Sequence, residues 1–326
     1  MLPRTRYGKS RYKQTPVDEF ALIRRYFDRK VGAPGIVAGI VTGIGDDGAI
    51  VVPAAGKHQV QVIDTLVEGV HFPPTANASD IGYRVVAVNL SDIAAMGARP
   101  RWMTLALTLP QKDERWIEAF ADGLFEAAAE HDVTLIGGDT TSGDAVVATV
   151  QMTGDVDPDR ALLRSGARVG DRVFVTGTLG DAAAGLKLIN RGESDDFLLR
   201  RFWRPTARVH TGMRLAGHAT AAIDVSDGLL GDLKKLLEAS GVGALIDIER
   251  VPLSTALRSR FDVDEQQHLA LTGGDDYELC FTAGDAPLPA DLAATAIGTI
   301  TASGELQCRR DGAIVDFDDS GYRHFQ

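Results

Sequence analysis

Residues 87–98 read Ala87-Val88-Asn89-Leu90-Ser91-Asp92-Ile93-Ala94-Ala95-Met96-Gly97-Ala98, and this stretch decides how the chain is read. From Ser79 to Ala98 the apolar residues Ile81, Val85 and Val88 recur at helical spacing, yet Asn89, Ser91 and Asp92 interrupt a segment that otherwise looks buried. Buried polar groups need partners, and an unpaired carboxylate there costs several kcal/mol. The same holds for Asp64, which directly follows the strand-like run Val60 to Ile63. Neither the run Val60 to Ile63 nor the run Ala87 to Met96 contains a Lys or Arg, so a cation or a close basic partner is required at both carboxylates.

Outward from this helix the chain alternates strands and helices, the pattern of an α/β (α+β) protein. Thr15 and Pro16 open an amphipathic helix to about Asp28, with Phe20, Ile23 and Phe27 on one face. Short strands are expected at Ala49 to Val52 and Val60 to Ile63, a helix from Asp113 to about Glu130, a strand from Val133 to Ile136 running into the turn Gly137-Gly138-Asp139, and a strand from Ala145 to Met152. The polar, turn-rich run Gly154 to Pro158 lies near the midpoint and divides the chain into residues 1–154 and 155–326. The second half restarts with strand Arg172 to Thr176. It then carries a helix toward Leu188, the segment Asp224-Val225-Ser226-Asp227-Gly228, a leucine-rich helix ending at Gly241, and strand Ala244 to Ile248.

Length and composition fit this division, since 326 residues with 44% hydrophobic content suit two globular domains. No apolar run is long enough for a bilayer, and two cysteines, Cys280 and Cys308, are too few for a disulfide framework or a four-thiolate zinc site. A cytoplasmic protein without membrane or nucleic-acid partners is expected. The formal charge of −11 repels phosphates unless bound cations invert the field locally. The one basic stretch, Arg4 to Lys13, reads as a solvated tail.

Asp46, Asp47, Asp64, Asp139, Asp224 and Asp227 stand at strand ends or in glycine-flanked turns, with Asp92 on a helix. Any one of them could simply make a turn. Together they suit magnesium, which takes a few carboxylates plus waters and substrate phosphates. The common nucleotide-binding motifs are absent: there is no Gly-x-x-x-x-Gly-Lys-Ser/Thr loop, no His-Arg-Asp with Asp-Phe-Gly, and no Gly-x-Gly-x-x-Gly opening the first strand-helix unit. Thr176 to Gly180 could offer free backbone N–H groups to a phosphate, although an ordinary strand-to-helix turn is the better account of it.

In order and spacing, Gly45-Asp46-Asp47, the run Asp64 to Phe72, Ala87 to Ala98, Gly137 to Thr141, Arg164 to Ala167, Ile223 to Leu229, Gly273 to Leu279 and the ending Gly321 to Phe325 resemble the thiamine-monophosphate kinase family. The wider superfamily includes aminoimidazole ribonucleotide synthetase and selenophosphate synthetase. The resemblance implies a two-domain fold of that kind, with N-terminal sheets pairing across a homodimer and a C-terminal mixed sheet with helices. It implies ATP as co-substrate, several Mg2+ ions, and thiamine monophosphate as acceptor. A selenophosphate synthetase would carry a reactive N-terminal Cys, which this chain lacks.

Carried over by position, the resemblance makes Asp47, Asp64, Asp92, Asp139, Asp224 and Asp227 metal ligands. It sets Gly138, Asp139, Arg164 and Ser226 around ATP, and His71, Asp275 and Tyr322 against the thiamine phosphate. The catalytic set it implies is Asp64, Asp92, Asp139, Arg164 and Asp227. Two departures stand out. Val62 and Ile63 replace the hydroxyl residues often found before the metal-binding aspartate, and Gly-Gly-Asp-Asp replaces Gly-Gly-Glu-Asp, so Asp275 reaches one methylene less. Other readings are a phosphotransferase or synthetase of the same superfamily, a catalytically silent binding protein, and a calcium-stabilised structural protein.

Overall fold

The computed structural model describes residues 19–29, 39–111 and 113–317. Thr15, Pro16 and Tyr322 lie outside them. The described part of the first helix is α1 (Glu19–Leu22), which continues as one π-helical turn, Ile23–Phe27. The wider turn rotates the buried face, so Leu22, Tyr26 and Phe27 are buried and Ile23 is only half-buried.

A short hairpin, β1 (Ile40–Thr42) and β2 (Ile50–Val51), precedes the first large sheet. That sheet contains β3 (His58–Val67), β4 (Arg99–Leu109), β5 (Thr134–Ser142) and β6 (Val147–Val156) in the order β3-β6-β4-β5. The β4–β5 pair is parallel and the others are antiparallel. Helices α2 (Ala78–Ala95) and α3 (Glu114–Ala129) share one apolar core with the sheet, including Leu90, Ile93, Phe120, Leu124, Leu105 and Val150. Asn77 caps α2 through Ser79 N–H, and Asp113 caps α3 through the Arg115 and Trp116 amides. The two helices touch backbone to backbone: a Cβ on Gly82 would lie 2.0 Å from the Phe120 carbonyl oxygen, and one on Gly123 would lie 1.8 Å from that of Ser79.

Two expected strand ends turn out to be strand interiors. Asp64 lies inside β3, which runs on to Val67 because the outward face alternates as Gln61, Ile63 and Thr65 while Val60 and Leu66 are buried. Asp139 lies inside β5, where pairing with β4 carries the strand through the glycines; a Cβ on Gly138 would sit 1.9 Å from the Leu105 carbonyl oxygen. Strand β6 likewise continues to Val156, past the 154/155 division.

The remaining described chain forms β7 (Arg172–Thr176), α4 (Asp181–Arg191), α5 (Asp196–Trp203), α6 (Val209–Leu215), β8 (Ala221–Val225), α7 (Leu229–Ser240), β9 (Gly243–Asp247), α8 (Thr255–Arg260), α9 (Val263–Thr272), β10 (Glu278–Ala283), β11 (Ala294–Thr301), β12 (Leu306–Arg310) and β13 (Ala313–Val315). Its seven strands form a mixed sheet ordered β13-β12-β9-β11-β7-β10-β8, in which only β12 and β9 pair in parallel. One face packs on the leucines of α7, with Val173, Val175, Ile223 and Val225 in the same core. On the opposite face Phe174, Ala222, Leu279 and Phe281 join the core of the first sheet. Helix α2 is therefore enclosed almost all round, which explains why its apolar positions do not confine themselves to one stripe.

Candidate active site

The polar interruption of α2 meets the end of β8. Ser91 Oγ donates to Asp224 Oδ2 at 2.8 Å, and both residues are buried. Asn89 finds its partner within the helix, donating to the Val85 carbonyl at 2.9 Å. Asp92, one residue beyond Ser91, lines a cleft of about 520 Å³ together with Gln61, Val62, Arg164 and Asp224. Arg164, from the segment between β6 and β7, sets a positive charge near Asp92 and Asp224.

Asp64, Asp92, Asp224 and Asp227 share one electrostatic neighbourhood. Burial pushes the Asp64 carboxyl up to about 6, with Asp224 and Asp227 adding to the shift. Burial and then Asp64 push Asp92 up to about 7, against the pull of Arg164. Asp224 also rises to about 7, through burial, Asp92 and Asp232, opposed by the Ser91 hydroxyl and Arg164. Buried and partly buried carboxylates that repel one another, with Arg164 acting on Asp92 and Asp224 and the Lys235 ammonium on Asp227, form a site short of positive charge. No three His, Cys, Asp or Glu side chains among the described residues are grouped closely enough to hold an ion alone. An open set of carboxylates fits magnesium, whose remaining positions go to waters and phosphate oxygens.

Not every expected residue joins this cluster. Asp47 and Asp139 are exposed, and no hydrogen bond or ion pair among the described residues links either to it. Gly138 is explained by the close approach of β4. His71, in the turn after β3, accepts the Val67 N–H on Nδ1 at 3.0 Å. Ser226 lies beside Asp227 in the turn after β8, and its carbonyl accepts the Asp275 N–H at 2.8 Å. Asp275 is held by Arg84 of α2, with Nη2 to Oδ1 at 2.5 Å.

Sequence reasoning missed Arg84, Asp232 and Lys235. Arg84 lies on the apolar helix flank where a charge is unexpected, and that was the available signal. The strand-to-helix turn at Thr176 to Gly180 is the ordinary one: Asp276 accepts the Gly180 and Ala182 amides at 2.6 and 3.3 Å, so the acceptor at this helix start is the protein's own carboxyl.

Two domains joined through an acidic cleft define the chain as a two-domain protein of the AIR synthase related class: the model of its N-terminal domain matches residues 45–156 and that of its C-terminal domain residues 168–310. Within the class, the thiamine-monophosphate kinase of Salmonella typhimurium is 46% identical over 322 residues, covering 94% of this chain and 98% of that protein. The crystal structure of the thiamine-monophosphate kinase of Stenotrophomonas maltophilia superimposes with a TM-score of 0.81 at 44% identity, over 92% of this chain and 98% of that one. A structure of AaThiL complexed with AMPPCP and TMP gives a TM-score of 0.77 at 33% identity, over 84% and 89%. The chain belongs to the thiamine-monophosphate kinase family.

Proposed function

We propose that this protein transfers the γ-phosphoryl group of ATP to thiamine monophosphate, giving thiamine diphosphate and ADP, as a magnesium-dependent cytoplasmic homodimer. The observation that carries the reading is the cluster of Asp64, Asp92 and Asp224 with Arg164 at the cleft between the two domains. In it, residues 1–154 supply metal and ATP contacts and the dimer face, and residues 155–326 supply nucleotide and substrate contacts along with the ligands Asp224 and Asp227. Asp64, Asp92, Asp224 and Asp227, with Asp47 from the β1–β2 loop and Asp139 from β5, are the ligands, and Arg164, Ser226 and Gly138 lie along the nucleotide. His71, Asp275 and Tyr322 are assigned to the acceptor.

The acceptor is a phosphate monoester whose second pKa near 6 leaves it largely dianionic, so its attacking oxygen needs no general base. The obstacle is charge, and bound magnesium supplies its neutralisation. Arg164 contributes a fixed positive charge beside Asp92 and Asp224. Burial of the carboxylates keeps water from screening these interactions. Direct in-line transfer follows, with no phosphorylated protein on the path.

The test is formation of thiamine diphosphate and ADP from thiamine monophosphate, ATP and magnesium, with thiamine as control. Turnover of the monophosphate alone is expected. Binding of magnesium-ATP with no turnover of either acceptor would move the chain to another substrate of the class or to a silent binding role.

A further inference from the structure

Helix α7 begins directly after the Ser226–Asp227 turn, and a side chain in its first turns leans back toward the helix start. Asp232 does so. Its carboxylate is 1% exposed, and Oδ2 accepts both the Ser226 N–H at 2.9 Å and the Asp227 N–H at 2.8 Å. Its other oxygen, Oδ1, receives the Lys235 ammonium at 2.8 Å. The same ammonium lies 2.7 Å from Asp227 Oδ2. One buried carboxylate therefore fixes the turn by its backbone, while one lysine bridges that carboxylate and the side chain the turn presents.

We propose that Asp232 is the positioning residue for the Ser226–Asp227 turn and that Lys235 is a resident counter-cation, displaced from Asp227 when magnesium nucleotide binds. The proposal rests on the magnesium-nucleotide reading of the site. Lys235 can yield Asp227 at small loss because it keeps Asp232 as a partner and is 43% exposed to water. A dication on Asp227 repels the ammonium, so the two compete for the same carboxylate. Asp232 has no such freedom, since moving it would orphan two backbone amides.

The experiment is Mn2+ binding in the presence of a non-hydrolysable ATP analogue, read by electron paramagnetic resonance on the full chain. It needs no turnover and so does not depend on thiamine monophosphate being the acceptor. Lys235→Met is expected to bind Mn2+ about two- to five-fold more tightly, the weight of a half-exposed ion pair. Asp232→Asn is expected to weaken it roughly ten-fold or more, as loss of a group supporting a metal ligand does. Affinity unchanged or weakened in Lys235→Met overturns the displacement, and wild-type affinity in Asp232→Asn overturns the positioning role. If Asp232→Asn does not fold, the half-exposed Lys235→Met substitution still decides the displacement, and Asp232→Glu, which retains the charge but misplaces it, decides the positioning. A wild-type chain that binds nucleotide but no Mn2+ would sink the metal reading and this proposal together, a result distinct from either variant's.

Discussion

Arg84 Nη2 stands 2.5 Å from Asp275 Oδ1, tying α2 of the first domain to the turn that follows α9 in the second. The guanidinium is 2% exposed, stacks 4.3 Å from the Phe202 ring and donates to the Phe202 carbonyl. The turn it holds is strained: Asp275 and Tyr277 are non-glycine residues at φ +71° and +51°, a conformation costing about 1–2 kcal/mol each. Backbone bonds from Asp275 to Ser226 and from Tyr277 to Val225 seat this turn on the end of β8. Eight residues after Arg84 on the same helix comes Asp92, so one rigid element sets both the acidic cluster and the turn assigned to the acceptor.

Arg84→Met should therefore act on folding and on acceptor binding together. Removing one partner of a buried pair leaves the other uncompensated, a loss of about 3–5 kcal/mol for full burial and less here because Asp275 is 30% exposed. Arg84→Lys, which keeps the charge but loses the planar fork, should fall between. Urea denaturation gives the first quantity, and the KM for thiamine monophosphate should rise more than that for ATP. Equal changes in the two KM values would separate Arg84 from the acceptor turn.

The acidic cluster sets a pH dependence with a definite sign. An unfolded aspartate titrates near 3.9, whereas Asp64 titrates at about 6 and Asp92 and Asp224 at about 7 in the fold. Between roughly pH 4 and 7 the folded chain holds protons that the unfolded chain has released, so stability from these groups is full at the acid end and lost as pH rises. Metal binds the deprotonated carboxylates. The rise in Tm produced by magnesium with an ATP analogue should accordingly grow from pH 5 to pH 8, and a constant increment across that range would refute the cluster as the metal site.

Asp276 tests a purely structural reading of a neighbouring carboxylate. Gly180 begins α4 with no side-chain cap of its own, and the Gly180 and Ala182 amides turn to Asp276 instead. Asp276→Ala should cost about 1–3 kcal/mol, measurable as a lower urea midpoint. Nucleotide affinity should stay near wild type in the folded fraction; its selective loss would return the helix start to the list of phosphate contacts.

How much of this was legible depended on whether a residue's partner is local. The helix read from Ser79 to Ala98 stands as α2, ending at Ala95, the one read from Asp113 stands as α3 with Asp113 as its cap, and the leucine face of α7 and its stop at Gly241 follow from spacing within one segment. Ser91 was visible as a polar residue in an apolar helix, but its partner Asp224 lies 133 positions away. Arg84 with Asp275 and Asp276 with Gly180 are likewise pairs made only by the fold. The strand interiors at Asp64 and Asp139 were read as ends because the apolar run stops there, while pairing continues through polar outward residues and glycines.

The first sheet makes the last prediction. Helices α2 and α3 cover one of its faces, where Leu105, Leu107, Ala148, Val150 and Met152 are buried. The alternate positions of three strands, Gln61, Ile63 and Thr65 on β3, Thr104, Ala106 and Thr108 on β4, and Val147, Thr149 and Gln151 on β6, carry no charge, Ile63 is 64% exposed, and the exposed Asp139 stands beside Ala106 on the edge strand β5. A sheet face meant for water usually alternates toward charged residues, whereas the centre of a protein interface is depleted of them. Thr149 lies mid-face, paired with Thr65 on one side and Ala106 on the other. Thr149→Arg in a homodimer would bring two guanidinium groups into a desolvated seam, while in the isolated subunit a change at this outward position should alter stability by only about 0.5 kcal/mol. Sedimentation should thus show a wild-type dimer and a variant monomer with the same circular dichroism. A wild-type chain that sediments as a monomer would remove the homodimer from the proposed function and leave the uncharged centre of this face to another partner.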